Sequence, residues 1–180
     1  MASHHLAQIN IGHPRGAMDS AEMAGFVAEL EPLNALADTA PGFIWRMQYS
    51  PDGNATSIPG FVADAGPSGI IINMSVWESV DALADYVLRS RHVEVMRRRR
   101  EWFHRMADAF TALWWVPAGH RPTVAEAEER VAALRSLGPT PFAFTLGKAF
   151  AAPEAVPAPR PSRDARPADA AALAPVAPSG

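Results

Sequence analysis

The fold is read from GIIINMSVWES, Gly69 to Ser79, and the VDALADYVL that follows it, Val80 to Leu88. In an extended chain successive side chains point to opposite faces. Ile70, Ile72, Met74 and Val76 then share one face, and Ile71, Asn73, Ser75 and Trp77 share the other. The spacing predicts a β-strand with one apolar and one mixed face, bounded by Gly69. Ser79 stands where an N-cap would, before a helix with Val80, Leu83, Ala84, Val87 and Leu88 on one side.

Working outward, HLAQINI (His5 to Ile11) alternates as a half-buried strand and ends in the turn formers Gly12, Pro14 and Gly16. Met23, Phe26, Val27 and Leu30 recur at helical spacing, which predicts a helix capped by Asp19 or Ser20 and kinked or split at Pro32. PGFIWRMQYS, starting at Pro41, reads as a strand, and PDGNATSIPG, starting at Pro51, as a loop. AFTALWWVPAG, starting at Ala109, is a fourth strand. Thr123 and Glu126 form a capping box before a helix bearing Val124, Ala127, Val131, Leu134 and Leu137, stopped by Gly138 and Pro139. FAFTL, from Phe142, is a short extra strand. The order β-α-β-β-α-β and a final helix predicts an α+β, ferredoxin-like fold: an antiparallel sheet with helices on one face. Large residues on both sheet faces predict a second sheet over the bare face, most simply from another copy of the chain.

Composition bounds the rest. The 180 residues suit one domain, taken as 1–150, with a tail at 151–180. That tail holds 11 Ala and 7 Pro and is expected to be disordered. A net charge of −3 argues against nucleic acid. With no cysteine, disulfides and thiolate chemistry are excluded. No membrane span or signal segment is visible, so no membrane partner and a cytoplasmic location are expected.

The most basic stretch is SRHVEVMRRRREWFHRM, Ser90 to Met106. On a helix at about 100° per residue, Val95, Met96, Trp102, Phe103 and Met106 fall in one apolar sector. Arg97, Arg98, Glu101, His104 and Arg105 fall opposite, with Arg100 at the boundary. Glu94–Arg98, Arg97–Glu101 and Glu101–Arg105 are spaced to pair along the surface. Most of the run therefore reads as a solvated face and not as a nucleic-acid arm. His92 and Arg99 lie inside the apolar sector, where an unpartnered polar group is costly. They either pair within the protein or address a ligand. The apolar sector of the preceding helix is rotated from this one, which predicts a break near Ser90.

Gln8, Asn10, Arg46, Gln48, Asn73 and Ser75 share the mixed strand faces, as the lining of a cavity or interface or as a solvated face. On the second strand the apolar face is Phe43, Trp45, Met47 and Tyr49. Trp45, Trp77, Trp102, Trp114 and Trp115 line an aromatic pocket or belong to the core, with Trp114 and Trp115 on opposite faces. His4, His5 and His13 read as a solvated terminus: His4 and His5 face opposite ways and do not chelate together, and no metal site is expected. His120 reads as a turn residue or a proton carrier. No nucleophile elbow or phosphate-binding glycine loop is present.

SVWES, an amphipathic helix and then SRH together resemble a pattern of the dimeric α/β-barrel superfamily, which includes antibiotic-biosynthesis and haem-degrading monooxygenases. HLAQIN, NMSVWESVDAL, RRRREWF and LWWVPAGHRPTVAEA resemble more closely a bacterial domain-of-unknown-function family of that superfamily, over His5 to about Leu146. The resemblance implies a homodimer with sheets face to face and a small-molecule cavity between each sheet and its helices. It implies a monooxygenase-like enzyme, without cofactor, acting on an aromatic or polyketide-like substrate. Asn10, Asn73, Trp77 and His92 match by type the Asn, Trp and His groups of cofactor-free members. On this reading His92 is the acid/base and Arg99 holds a substrate anion, while Asn10, Trp45, Arg46, Asn73, Trp77 and Trp102 bind substrate. Haem-binding members imply the alternative in which His92 ligates iron, although the arginine run departs from their pattern. A non-enzymatic dimeric binding protein is the third reading.

Overall fold

A computed structural model describes residues 3–48 and 60–154. The expected 51–60 loop, save Gly60, and the expected tail, save Ala151–Glu154, lie outside the described residues. The elements run β1 (His4–Gly12), α1 (Ala24–Asp38), β2 (Phe43–Arg46), β3 (Ile71–Trp77), α2 (Val80–Arg89), α3 (His92–Arg98), β4 (Thr111–Pro117) and α4 (Val124–Leu137). The four strands form one antiparallel sheet in the order β2-β3-β1-β4. This is the ferredoxin-like arrangement that the order of elements predicts.

The local signals act as read at three helix ends. Ser79 Oγ accepts the Ala82 N–H at 3.1 Å. Thr123 and Glu126 form the reciprocal capping box. Gly138 ends α4 at a φ of 70° that favours glycine. Three expectations need correcting. Neither Asp19 nor Ser20 caps α1. The chain turns through Ala17–Met23, and burial of Met23 among Ile71, Val95 and Trp102 anchors the helix start instead. Pro32 does not split α1, which runs through it as one helix; the position is exposed, so water reaches the carbonyl that loses its partner. FAFTL is no strand; Phe144 alone bridges to Leu113.

The two sheet faces carry different layers. On one lie Ala7, Ile9 and Ile11, Ile72, Met74 and Val76, and Ala112, Trp114 and Val116, all buried. Ala127, Val131 and Leu134 of α4 pack onto this face, with Phe61, Ile70 and Ala143. The face expected to be bare and covered by a second copy is thus covered by the chain's own last helix. α1, α2 and α3 stand on the other face in two groups. Leu83, Val80, Tyr86 and Val87 of α2 pack at the Leu6–Trp77 end, while Met23, Phe26 and Leu33 join Val95 and Trp102 at the Ile71 end.

The second strand departs from simple alternation. Phe43 pairs with Trp77 and Trp45 with Val76, so Ile44 is an extra, bulged residue. The bulge moves Phe43 to the face of α1–α3, edge-on to Trp77 at 5.3 Å, while Trp45 and Met47 pack under α4. Phe43 and Trp45 therefore do not share a face. Trp114 and Trp115 do point oppositely, Trp114 under α4 and Trp115 with its Nε1 donating to the Phe150 carbonyl at 2.9 Å.

Packing of α4 predicts a contrast within one helix. Leu134→Ala, at a buried site, lowers the urea-unfolding free energy by about 3 kcal/mol. Leu137→Ala, 72 % exposed, changes it by less than about 0.5 kcal/mol. Similar losses at both positions would show that α4 does not seal the sheet as described.

Candidate functional site

The site is built on the face under α1–α3, where the pleat brings the mixed residues of three strands into rows. Trp77, Leu6 and Trp115 form one row across β3, β1 and β4. Ser75, Gln8 and Leu113 form the next, and Asn73, Asn10 and Thr111 the third. A polar strip thus crosses the middle of the face, between the two apolar clusters on which the helices stand.

Hydrogen bonds organise this strip. Trp77 Nε1 donates to Ser75 Oγ at 2.9 Å, and Ser75 Oγ donates to Gln8 Oε1 at 2.9 Å. Asn10 Nδ2 donates to Thr111 Oγ1 at 3.0 Å. These links meet the rule that buried polar groups need partners. Asn73 is different. It is the one exposed residue of β3, with every other residue of that strand buried. Solvent therefore reaches the sheet between the helices at Asn73, directly opposite Asn10.

Beside the strip, a stack of rings leads to His92. Trp77 and Tyr86 lie 5.0 Å apart at an interplanar angle of 30°. Tyr86 and His92 also lie 5.0 Å apart. Tyr86 donates its hydroxyl to the Leu33 carbonyl at 3.2 Å, and burial pushes its pKa up to about 12. Arg46 opposes that shift and Asp38 adds to it. The chain breaks at Ser90, as the rotated apolar sectors predict, and its extended backbone separates α2 from α3. Ser90 Oγ donates to the Tyr86 carbonyl at 2.5 Å and accepts the His92 backbone N–H at 3.1 Å. Burial pushes the His92 imidazole below its ordinary range, and a backbone hydrogen bond with Val87 opposes this. The imidazole Nδ1 is buried and has no hydrogen-bond partner among the described residues.

The structure gathers some of the expected site residues and scatters others. Asn10, Asn73 and Trp77 share the face, and His92 joins them through Tyr86. Arg46 lies on the same face, in register with Ser75, and its guanidinium grips Asp38 at 2.8 Å. Trp45 is on the opposite side of the sheet, under α4. Trp102 is buried in the apolar cluster with Met23, Ile71 and Val95. Arg99 is exposed, away from the apolar sector in which a continuous helix would place it. The α-helix stops at Arg98 and a 3-10 turn, Arg99–Glu101, changes the angular spacing. None of the three expected four-residue ion pairs forms among the described residues: the 3-10 turn removes the spacing for Arg97–Glu101 and Glu101–Arg105, and Arg98 pairs with Glu101, three residues on, at 3.0 Å in place of Glu94.

Tyr86 and Thr111 are the residues that sequence reasoning missed. Tyr86 follows Leu83 by three residues, which places it on the packed side of α2. Thr111 precedes Leu113 and Trp115 in alternation, which places it on the strip. Among the other histidines, His13 Nε2 contacts the Asp64 carbonyl and His120 Nε2 meets Glu126 at 2.9 Å. No group of three metal-ligating side chains occurs among the described residues. A groove of about 410 Å³ adjoins the ring stack, lined by Leu36, Thr39, Gly42, Glu78, Asp85 and Tyr86 among others. A shallower depression of about 390 Å³ lies on α3, lined by Val93, Met96, Arg97, Arg99 and Arg100. No helix among the described residues is long and apolar enough to cross a membrane.

The chain belongs to the family described as Domain of unknown function (DUF3291), which matches residues 5–159. No curated protein matches it. Among solved structures it is similar to Rv0793 from Mycobacterium tuberculosis, at 17 % identity and a TM-score of 0.41, over 66 % of this chain and 99 % of that one. It is also similar to SnoaB, a cofactor-independent oxygenase from Streptomyces nogalater, in its N63A mutant, at 14 % identity and a TM-score of 0.41, over 67 % and 97 %. A protein of unknown function from Nitrosomonas europaea, NE2512, matches at 10 % identity and a TM-score of 0.41, over 67 % and 95 %.

The buried imidazole generates a pH prediction. With its folded pKa below the ordinary 6.5, His92 contributes stability that is complete above about pH 6.5 and is lost as pH falls. Urea unfolding at about pH 7.5 and about pH 5.5, either side of the ordinary imidazole pKa of about 6.5, reads this. Wild type loses more stability on acidification than His92→Phe. Equal losses would place the imidazole in water.

Proposed function

We propose that the chain is a small-molecule enzyme that takes an aromatic substrate on the polar strip of its sheet and oxygenates it without a cofactor. The observation that carries this reading is the exposure of Asn73 in the middle of an otherwise buried strand. It gives solvent access to the polar strip, beside the ring stack of Trp77 and Tyr86, where a small aromatic guest would sit. Asn73 carries both a donor and an acceptor there. Tyr86 offers a ring on which an aromatic body packs, with Trp77 buried behind it.

His92 supplies the acid/base. Its lowered pKa keeps it neutral near pH 7, the form that accepts a proton. Its ring has a backbone hydrogen bond with Val87 and no side-chain partner among the described residues, which leaves one nitrogen for a substrate proton. Removal of a phenolic proton by His92 leaves an electron-rich ring that passes one electron to molecular oxygen, the co-substrate; the ring radical and superoxide then combine, His92 returns the proton to the peroxide, and loss of water across the O–O bond leaves a carbonyl in place of a ring C–H. The Asn73 amide N–H steadies the oxyanion that forms. In this reading Arg46 orders the rim through Asp38 and does not touch the substrate.

The residues do not fit haem. Ligation needs a flat open space over one imidazole nitrogen. Here the imidazole is stacked against Tyr86, which leaves no room for a porphyrin beside it. Nor does the reading require a homodimer, because α4 already seals the face that a partner sheet would cover.

Oxygen uptake with a hydroquinone and an anthrone, beside tryptophan-fluorescence binding of the same compounds, tests the proposal. Wild type consumes oxygen, with a rate that rises with pH through a midpoint below 6.5. His92→Ala binds but loses about a hundredfold or more in rate. Asn73→Leu weakens binding. Binding without oxygen uptake in wild type would transfer the chain to the non-enzymatic reading, and absence of both would end the aromatic assignment.

A further inference from the structure

Seven of the chain's 16 basic residues lie between positions 89 and 105, with only two of its 19 acidic ones. The structure sorts these arginines into two sets. Arg89 pairs with Asp85 at 2.7 Å, Arg91 with Glu29 at 2.8 Å, and Arg98 with Glu101 at 3.0 Å. Arg97, Arg99 and Arg100 make no ion pair among the described residues, and together with Val93 and Met96 they line one depression of about 390 Å³. Val93, Met96 and Arg97 lie on one side of α3, and Arg99 and Arg100 follow in the 3-10 turn that ends it. The Arg99 guanidinium lies over the Phe110 ring, 5.1 Å from its centroid, a contact that positions the charge without neutralising it.

The segment that carries these arginines is held firmly. Trp102 beneath it is 3 % exposed. The Arg15 N–H donates to the Trp102 carbonyl at 2.9 Å, the His104 N–H to the His13 carbonyl at 2.9 Å, and Arg15 Nε to the Arg100 carbonyl at 3.1 Å. A solvated basic arm has no such anchors. Three unpaired guanidiniums on a fixed turn form a preorganised anion site. A single carboxylate occupies one guanidinium fork, whereas the three terminal oxygens of a phosphate monoester match three. Val93 and Met96 give the same depression an apolar floor.

We propose that Arg97, Arg99 and Arg100, over Val93 and Met96, bind a phosphate monoester that carries a small apolar group. This site does not rest on the oxygenase reading of the polar strip. The monoester belongs either to a soluble metabolite or to a lipid headgroup.

Calorimetric titrations of the full chain with phenyl phosphate and inorganic phosphate, and co-sedimentation with phosphatidylcholine vesicles with and without phosphatidic acid, test it. Phenyl phosphate binds saturably and more tightly than inorganic phosphate. Arg97→Gln and Arg100→Gln each weaken it about tenfold. Arg98→Gln, whose charge Glu101 already matches, changes it less than about twofold. Met96→Ser weakens phenyl phosphate and leaves inorganic phosphate unchanged. Capture by phosphatidic acid vesicles, reversed by phenyl phosphate, identifies a lipid source; phenyl phosphate binding without vesicle capture identifies a soluble one. Equal losses from all three Arg→Gln variants would reduce the site to a diffuse positive field and overturn the proposal. So would absence of saturable binding to both phenyl phosphate and vesicles, or binding of single-stranded RNA that phenyl phosphate does not displace.

Discussion

The structure depends on one constraint, the sealing of Ala7, Ile9 and Ile11, Ile72, Met74 and Val76, and Ala112, Trp114 and Val116 beneath α4. Three neighbouring strands present an unbroken apolar surface there, and its burial supplies the main driving force for the sheet. The pleat then dictates what happens on the reverse side. Each residue between two core residues must point to the other face, so Asn73 lies between Ile72 and Met74, and Gln8 between Ala7 and Ile9. Because one face is wholly apolar and satisfied, the other tolerates a polar strip without losing the fold.

That strip has two parts with different physical roles. Trp77, Ser75 and Gln8 satisfy one another, as do Asn10 and Thr111, so these residues stand on hydrogen-bond grounds alone. Asn73 has no such partner and faces the opening. The ring stack from Phe43 through Trp77 and Tyr86 to His92 ties the second strand to the start of α3. Ser90 makes this possible, since its hydroxyl bridges the end of α2 to the first residue of α3 across the extended backbone.

The strand faces of β1, β3 and β4, the caps of α2 and α4, and the break at Ser90 were legible because each is written in local spacing or in one side chain. The bulge at Ile44 was not. FIWRMQ alternates smoothly, and only pairing with Trp77 and Val76 reveals the extra residue. Arg99 was misplaced for a related reason: a wheel drawn through Met106 assumes one period, and the 3-10 turn after Arg98 breaks it. In the same way, the amphipathic pattern of α4 says that the helix buries one side but not against which face. The site was legible where it lies on strands and illegible where it depends on which helix covers what.

The identity of that cover bears on assembly. A second sheet could meet the apolar face only by lifting α4, which would expose Ala127, Val131 and Leu134. Removal of that much apolar contact costs several kcal/mol before any new contact forms. The edge of the sheet at β4 is also engaged, since Leu113 and Phe144 exchange backbone hydrogen bonds at 2.8 and 2.9 Å. The edge is thereby blunted against pairing with another chain. A second sheet on the apolar face, or another strand on the β4 edge, would have to displace contacts that the chain already makes. The helical side carries the exposed Asn73 and, on α3 and the 3-10 turn after it, three arginines that make no ion pair among the described residues.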